Sequence, residues 1–255
     1  MTGPEQRVEG VLVRVQPVAD AALIITLLSA DAGRVEAYAR NARASTRRFG
    51  GRLELFGQGS ARIGRARGSL PLLAGFDRGP SLVGVDLDYT RLLLCSHAAE
   101  LALASSQPDH ADPDLHAWLC RVLRSLGTSR GVADPAAARI GLELGWLQAI
   151  GAAPPIDSCS GCGAPWQTGA LWPRSHDGLR CLRCEGREGA DISLDDLDLL
   201  AALVRDPAAA GGRPTPRGAR LLRQRVAGLL DEQLGRRTRS ASALDGLETD
   251  PAADA

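Results

Sequence analysis

Two pairs of cysteines carry the strongest chemical signal in this sequence. Cys159-Ser-Gly-Cys162 is followed, after eighteen intervening residues, by Cys181-Leu-Arg-Cys184. That is the spacing of a four-cysteine zinc site. Two residues between cysteines let a tight turn aim both thiolates at one tetrahedral ion, and the intervening segment folds back with the second pair. Gly161 and Gly163 sit in the first knuckle, and Gly186 lies just past the second. Four thiolates fill the tetrahedron and leave no position for water. The expected role is therefore structural: one Zn2+ per chain, bound by Cys159, Cys162, Cys181 and Cys184. Two disulfides or four free thiols are the alternatives for the same residues. His176 lies near enough to compete as a ligand, but the four cysteines already satisfy the metal.

The second signal is charge. All 30 basic residues are arginine, matched by 30 acids, so the formal net charge is zero. A GC-rich coding preference accounts for the arginine bias, but the charges are also segregated. Residues 40–67 carry eight arginines against Glu54 alone, and residues 205–239 carry nine against Asp206, Asp231 and Glu232. A polyanion responds to such local fields, not to the net charge. The segment Ala39-Arg-Asn-Ala-Arg-Ala-Ser-Thr-Arg-Arg-Phe-Gly-Gly51 is too polar and too glycine-terminated for a core. Its bland reading is a solvated loop. The sharper one is a loop that tracks phosphates at the mouth of a barrel. Arg40, Arg43, Arg47 and Arg48 would line it, with Arg14, Arg34, Arg52, Arg62, Arg65 and Arg67 extending the surface. Aromatics are few here, and only Tyr38 and Phe49 qualify as base-stacking platforms. Binding would then fall mainly on the backbone and tolerate sequence.

The elements that must position these residues are legible in outline. Alternation from Val8 to Val15 predicts a strand, and the apolar run Leu23–Leu28 a strand buried on both faces. Ala32-Gly33 turns into a third, Val35–Ala39. Leu53–Phe56 and Ser60–Ile63 share a fourth, and Leu70–Phe76 makes a fifth. Five short strands with glycine at the bends predict a small closed barrel over 1–80. After Gly79-Pro80 the pattern turns helical. Asp86–Ser105 presents Leu92, Leu93, Ala99 and Leu103, and Asp114–Leu126 a second apolar face. Asp134-Pro135 caps a third helix that stops at Gly151. The cysteine module, 156–190, interrupts this helical domain of 81–240. Ser193-Leu-Asp-Asp196 reads as a capping box, and Thr215-Pro216 opens a long helix ending near Gly235. Residues 241–255 are acidic and low in complexity, which predicts a disordered tail. Cys95 and Cys120 fall on helical apolar faces and read as core. The fold class is thus α+β: a small closed barrel of the OB type, which strand periodicity alone does not separate from an SH3-like barrel, then a helical domain with an inserted four-cysteine zinc module.

No apolar run approaches membrane-spanning length, and the N-terminus lacks the pattern of a signal peptide. The expectation is a cytoplasmic, nucleoid-associated protein without membrane contact. Its thiols would stay reduced, which favours metal over disulfides.

These pieces, in this order, resemble the bacterial recombination mediators of the RecO family. The resemblance spans roughly residues 7–240. It rests on Glu9-Gly-Val-Leu-Val-Arg14, Asp20 before the second strand, Gly33-Arg-Val ahead of Ala39-Arg40, and the arginine loop. Leu144-Gly145, Cys159-x-x-Cys162 with Gly163, and Arg239-Ser240 complete the set. One departure is Asn41, where the family commonly has glycine; asparagine tolerates left-handed backbone, so the turn can survive. The resemblance implies a DNA-binding mediator of repair that binds single- and double-stranded DNA and anneals complementary strands. It implies work with RecR and, in many species, RecF, to displace single-strand-binding protein so that RecA can load. Arg220, Arg223 and Arg225, on a helix with a leucine-rich opposite face, would suit the acidic, apolar-ended tail of single-strand-binding protein.

Covalent catalysis is not expected. No GxxxxGK[ST], HExxH or GxSxG is present, and the CxxC pairs lack the HxE partner of a zinc deaminase. The four histidines, His97, His110, His116 and His176, are scattered without acidic or nucleophilic company. Two rivals remain: a zinc-ribbon adaptor that binds only proteins, which the basic loop opposes, and a metalloenzyme using the cysteine site, which an exchangeable metal-bound water would reveal.

Overall fold

The structure, a computed structural model, describes residues 5–18, 20–43, 48–49, 51–66, 70–173, 178–209 and 213–249. Arg47, Arg67 and His176 lie outside the described residues. The expected fold class is present. Strands β1 (Gln6–Pro17), β2 (Leu23–Ser29), β3 (Gly33–Ala39), β4 (Gln58–Ala66) and β5 (Pro71–Arg78) close into one barrel. Its order is β1-β2-β3-β5-β4, with β3 parallel to β5 and every other pair antiparallel. That order is OB-like, and closure leaves no strand edge unpaired. Alternate residues such as Leu12, Ile25, Leu27, Ala37, Ala61 and Leu73 fill the interior.

One strand expectation fails. Leu53–Phe56 does not share a strand with Ser60–Ile63. The register of β1 slips between Leu12 and Arg14, and there the Phe56 N–H donates to the Leu12 carbonyl (2.8 Å) while Leu12 N–H donates to Gly57 (2.8 Å). Phe56 sits at φ +66, a conformation no strand accommodates.

The chain divides into two compact units, Met1–Leu87 with Ala99–Thr128, and Asp88–Ala98 with Ser129–Ala255. The 99–128 stretch thus groups with the barrel, beyond the division expected at residue 80. Helix α2 (Pro113–Thr128) packs on β2, which is why the outward-facing Thr26 and Leu28 are buried as deeply as the inward-facing Ile25 and Leu27. The 99–128 stretch is also pinned through its backbone. Arg34 N–H donates to Gln107 (3.0 Å) and Gly84 N–H to Gly127 (2.9 Å). Gly33, at φ +63, turns so close to this stretch that an added Cβ would lie 2.2 Å from the His110 carbonyl oxygen. In α1 (Tyr89–Ser105), Leu94, Cys95, Ala98, Leu101 and Ala102 are buried, whereas Leu92, expected on the inner face, is exposed.

In the second unit, α3 (Pro135–Ala149) starts at Asp134, whose carboxylate accepts from Ala137 N–H. It packs on α5 (Leu194–Arg205) and α6 (Pro216–Leu234). The approach to α5 is close: a Cβ on Gly141 would sit 2.5 Å from the Leu203 Cβ. Asp196 completes the capping box of α5 and also accepts from the backbone (2.7 Å) and hydroxyl (2.8 Å) of Thr215, the cap of α6. The expected disordered tail is corrected over most of its length. Arg239–Thr249 forms helix α7, with Ser240, Ala241 and Leu244 buried. Composition alone concealed that Ala241 and Leu244 of this acidic segment face inward.

Candidate metal centre and nucleic-acid surface

The first cysteine pair sits on a turn held by its own backbone. Cys159 N–H donates to the Ala164 carbonyl (2.9 Å), and Gly163, at φ +70, returns its N–H to the Cys159 carbonyl (2.8 Å). The second pair straddles a single helical turn, α4 (Leu182–Glu185), capped by Cys181 and stopped by Gly186 in the left-handed region. Paired backbone between Leu171 and Arg180, and Ser160 N–H to the Leu179 carbonyl (2.9 Å), bring the two turns together. Ala170, Leu171, Trp172, Leu179 and Ile192 are buried beneath them.

All four Sγ atoms lie within 4.8 Å of one another, and all four cysteines are free thiols. Sulfurs about 2.3 Å from a tetrahedral zinc ion stand roughly 3.8 Å apart. The Cys162–Cys181 separation of 3.9 Å fits that geometry and is far from a disulfide. Cys159 is the buried member, and its sulfur accepts N–H groups from Cys181 (3.3 Å) and Gly161 (3.4 Å). Burial works against its ionisation, but the N–H groups of Cys181, Cys162 and Gly161 outweigh it and bring the thiol down to about 6. Cys184 is pushed up to about 12, first by its hydrogen bonds to Cys181 and Cys162. Four thiols this close cannot all ionise unaided; a divalent cation removes the conflict.

The arginine surface is built at one end of the barrel. Arg40 and Arg43 are exposed just beyond β3, on a turn where Asn41 adopts φ +56, the left-handed geometry expected of the position. Arg43 donates to the Asp20 carbonyl (3.2 Å), and its N–H reaches Ala21 (3.2 Å), tying this turn to the β1–β2 connection. Arg48 is exposed, reaches back to the Arg40 carbonyl, and lies over the Phe49 ring at 4.9 Å. Arg14 and Arg52 are exposed as well. Among the described residues, Arg14, Arg40, Arg43, Arg48 and Arg52 form no ion pair, so their charges stand uncompensated.

Two expected members do not belong. Arg34 is half-buried at the opposite end of β3 from Arg40, about 20 Å away along extended chain. Phe49 is wholly buried in the barrel core and presents no face to a base. Its role is to pack inward and offer its ring to the Arg48 guanidinium. A Phe49→Leu variant should therefore lose about 1 kcal/mol of stability in urea melts while its affinity for single strands stays unchanged. Affinity falling with stability intact would restore Phe49 as a stacking residue.

Arg220, Arg223 and Arg225 do not form one surface. Arg220 is exposed, Arg225 donates to the Trp172 carbonyl (2.8 Å), and Arg223 belongs to a buried ionic cluster. In that cluster Glu143 Oε1 accepts from Arg139 (2.9 Å) and lies 3.0 Å from His97 Nε2, while its Oε2 accepts from Arg223 (3.0 Å). Asp245 receives Arg139 (2.8 Å), Arg223 (3.3 Å) and Arg237 (2.5 Å). His97 thus has acidic company, contrary to expectation. The partners come from 46 to 143 residues away, and only the i, i+4 pairing of Arg139 with Glu143 was visible in sequence.

Comparison with known proteins identifies the family. The family described as Recombination protein O N terminal matches residues 1–76, and Recombination protein O C terminal matches 86–242. DNA repair protein RecO of Anaeromyxobacter sp. (strain K) is 34% identical over 250 residues, 94% of this chain and 96% of that protein. The proteins of the same name from Myxococcus xanthus and Streptomyces coelicolor are 31% and 32% identical, over 85% and 78% of this chain and 87% and 82% of theirs. By these matches, which run over both halves of the chain, this chain belongs to the RecO family of DNA repair and recombination proteins.

Proposed function

We propose that the protein is a non-enzymatic recombination mediator. It binds single- and double-stranded DNA, anneals complementary strands, and acts with RecR, and with RecF, to load RecA onto DNA covered by single-strand-binding protein. The observation that carries this reading is the group of exposed, unpaired arginines, Arg40, Arg43 and Arg48, gathered where β3 leaves the barrel and tied to the β1–β2 connection. In OB folds the β1–β2 loop is one of the two that flank the nucleic-acid face. Arg47 belongs to the same run in sequence. Arginine suits phosphate because its planar fork donates two parallel hydrogen bonds and never loses its charge. Annealing needs that charge, since two strands held together repel. The four cysteines hold one structural Zn2+, and the second unit receives the acidic tail of single-strand-binding protein.

Each phosphate neutralised on a single strand contributes a log–log salt slope of roughly −0.7, so three engaged arginines give about −2. Over a fourfold rise in salt, that term alone weakens binding about 20-fold. The triple variant Arg40→Glu, Arg43→Glu, Arg48→Glu should lose affinity for all sequences alike, show a slope shallower by about 2, and fail to anneal. Fluorescence anisotropy across a salt series and a strand-annealing assay measure this. Unchanged affinity, slope and annealing would move the DNA surface away from the barrel, to the arginines of 213–239.

A further inference from the structure

The four sulfurs of the metal centre are not equivalent. Cys159 is 1% exposed, and its sulfur accepts the N–H groups of Cys181 and Gly161. Cys181 and Cys184 are half-buried, whereas Cys162 is exposed. The turn around it gives no cover, since Ser160, Gly161 and Gly163 are exposed as well. Arg183, exposed on α4, sets its guanidinium against the Cys162 sulfur, and this contact draws the arginine pKa up. Thiolates that are accessible and set beside an arginine are the ones that react; buried thiols are inert. A partner stands within reach. The sulfurs of Cys162 and Cys181 are 3.9 Å apart and need to close to about 2 Å to bond.

We propose that Cys162, beside Arg183, is an oxidation site at which hydrogen peroxide discharges the metal by joining Cys162 to Cys181. This rests on the reading that the four cysteines hold zinc. First the Cys162 thiolate attacks a peroxide oxygen: an S–O bond forms, the O–O bond breaks and hydroxide leaves. The Cys181 thiolate then attacks the sulfenic sulfur of Cys162: the S–S bond forms, the S–O bond breaks and a second hydroxide leaves. Two thiolates are oxidised to one disulfide, and one peroxide is reduced to two hydroxide ions. Sulfurs in a disulfide are no longer thiolate ligands, and Cys159 and Cys184 alone hold a structural ion far less firmly. The new bond crosses from one knuckle to the other, so it takes over the metal's tie between the two turns. A bond within either CxxC pair would close a single turn and let the two part. Oxidation therefore releases the ion while the turns stay joined, and a thiol reductant with zinc reverses it.

Wild-type protein prepared without chelators is first analysed for zinc and then treated with graded hydrogen peroxide. Released zinc is read with a chromogenic chelator, and the cysteines by differential alkylation and peptide mapping. Zinc release should rise in step with a Cys162–Cys181 disulfide, Cys159 should be the last of the four to be oxidised, and dithiothreitol with added zinc should restore occupancy. Arg183→Ala should release zinc several-fold more slowly at the same peroxide concentration. A first bridge between any other two cysteines would overturn this assignment. So would zinc retained at peroxide concentrations that fully oxidise a free thiol such as glutathione. An unchanged rate in Arg183→Ala would take the arginine out of the site. Protein carrying no zinc at the outset would remove the zinc reading and this oxidation site together. The mapping is done on the wild-type chain, so no variant's folding enters it.

Discussion

Replacing Cys159 with serine should empty the metal site and unfold the module around it. Cys159 is the cysteine on which the others depend: it is buried, it accepts two backbone N–H groups, and one of these belongs to Cys181 in the second pair. Serine cannot supply a thiolate, and three remaining cysteines hold a structural ion far less firmly. Because metal-binding energy here is folding energy, the loss should be about 5 kcal/mol. Metal analysis of wild-type protein prepared without chelators should give one zinc per chain, and of the variant almost none. Limited proteolysis of the variant should cut within 156–192, while the barrel keeps its salt-dependent DNA binding. Wild type carrying less than half an equivalent of zinc, or a variant as resistant as wild type, would contradict a metal-braced module.

The second large effect is expected at Glu143. Burial alone would push its carboxyl up, but the His97 contact and the Arg223 and Arg139 guanidiniums outweigh it and hold it below its ordinary value. Glu143→Ala removes the inner acceptor and takes from Arg139 and Arg223 the buried carboxylate they share. Breaking such a cluster from one side costs roughly 3–5 kcal/mol. Glu143→Gln keeps the shape and one acceptor oxygen and should cost less. The pH dependence follows from the lowered value. The contribution is fully present above the unfolded-state value of about 4.5 and is lost as pH falls through the lower folded value. Asp196 and Asp245 are also lowered against their own burial, by hydrogen bonds from Thr215 and Ser193 and from Arg139, so their contributions fade in the same direction. Urea midpoints measured from neutral to acid pH should drop more steeply for wild type than for Glu143→Ala. Parallel curves would mean that the cluster does not drive acid unfolding.

Local pattern revealed what local chemistry determines. The cysteine module was legible because four ligands at fixed spacing leave few ways to meet. The caps at Asp134, Ser193 and Thr215 were legible because each acts within three residues. Leu23–Leu28 read correctly as doubly buried, but nothing in sequence named α2 as its outer cover. Phe49 was misjudged because its flanks are polar, while its ring is drawn into the barrel past them. The ionic cluster and α7 stayed hidden for one reason: their partners converge from distant parts of the chain, and an acidic segment with Leu244 at its centre looks like a tail until Arg139 and Arg223 are placed against it.

The double cap at Asp196 has a practical consequence for anyone wishing to mark this molecule. Because one carboxylate ties the starts of α5 and α6 together, the chain leaving α5 at Arg205 must return about 18 Å to reach Thr215. The ten steps between them can span roughly 33 Å. The return path thus has slack, and its closure is fixed by Asp196 more than by its own length. Doubling such a connection costs only about 0.6 kcal/mol. A fluorophore tag or an affinity sequence is therefore best spliced in after Ala209, which itself packs on Ala137, Leu199 and Leu203, leaving the barrel, the cysteines and α7 untouched.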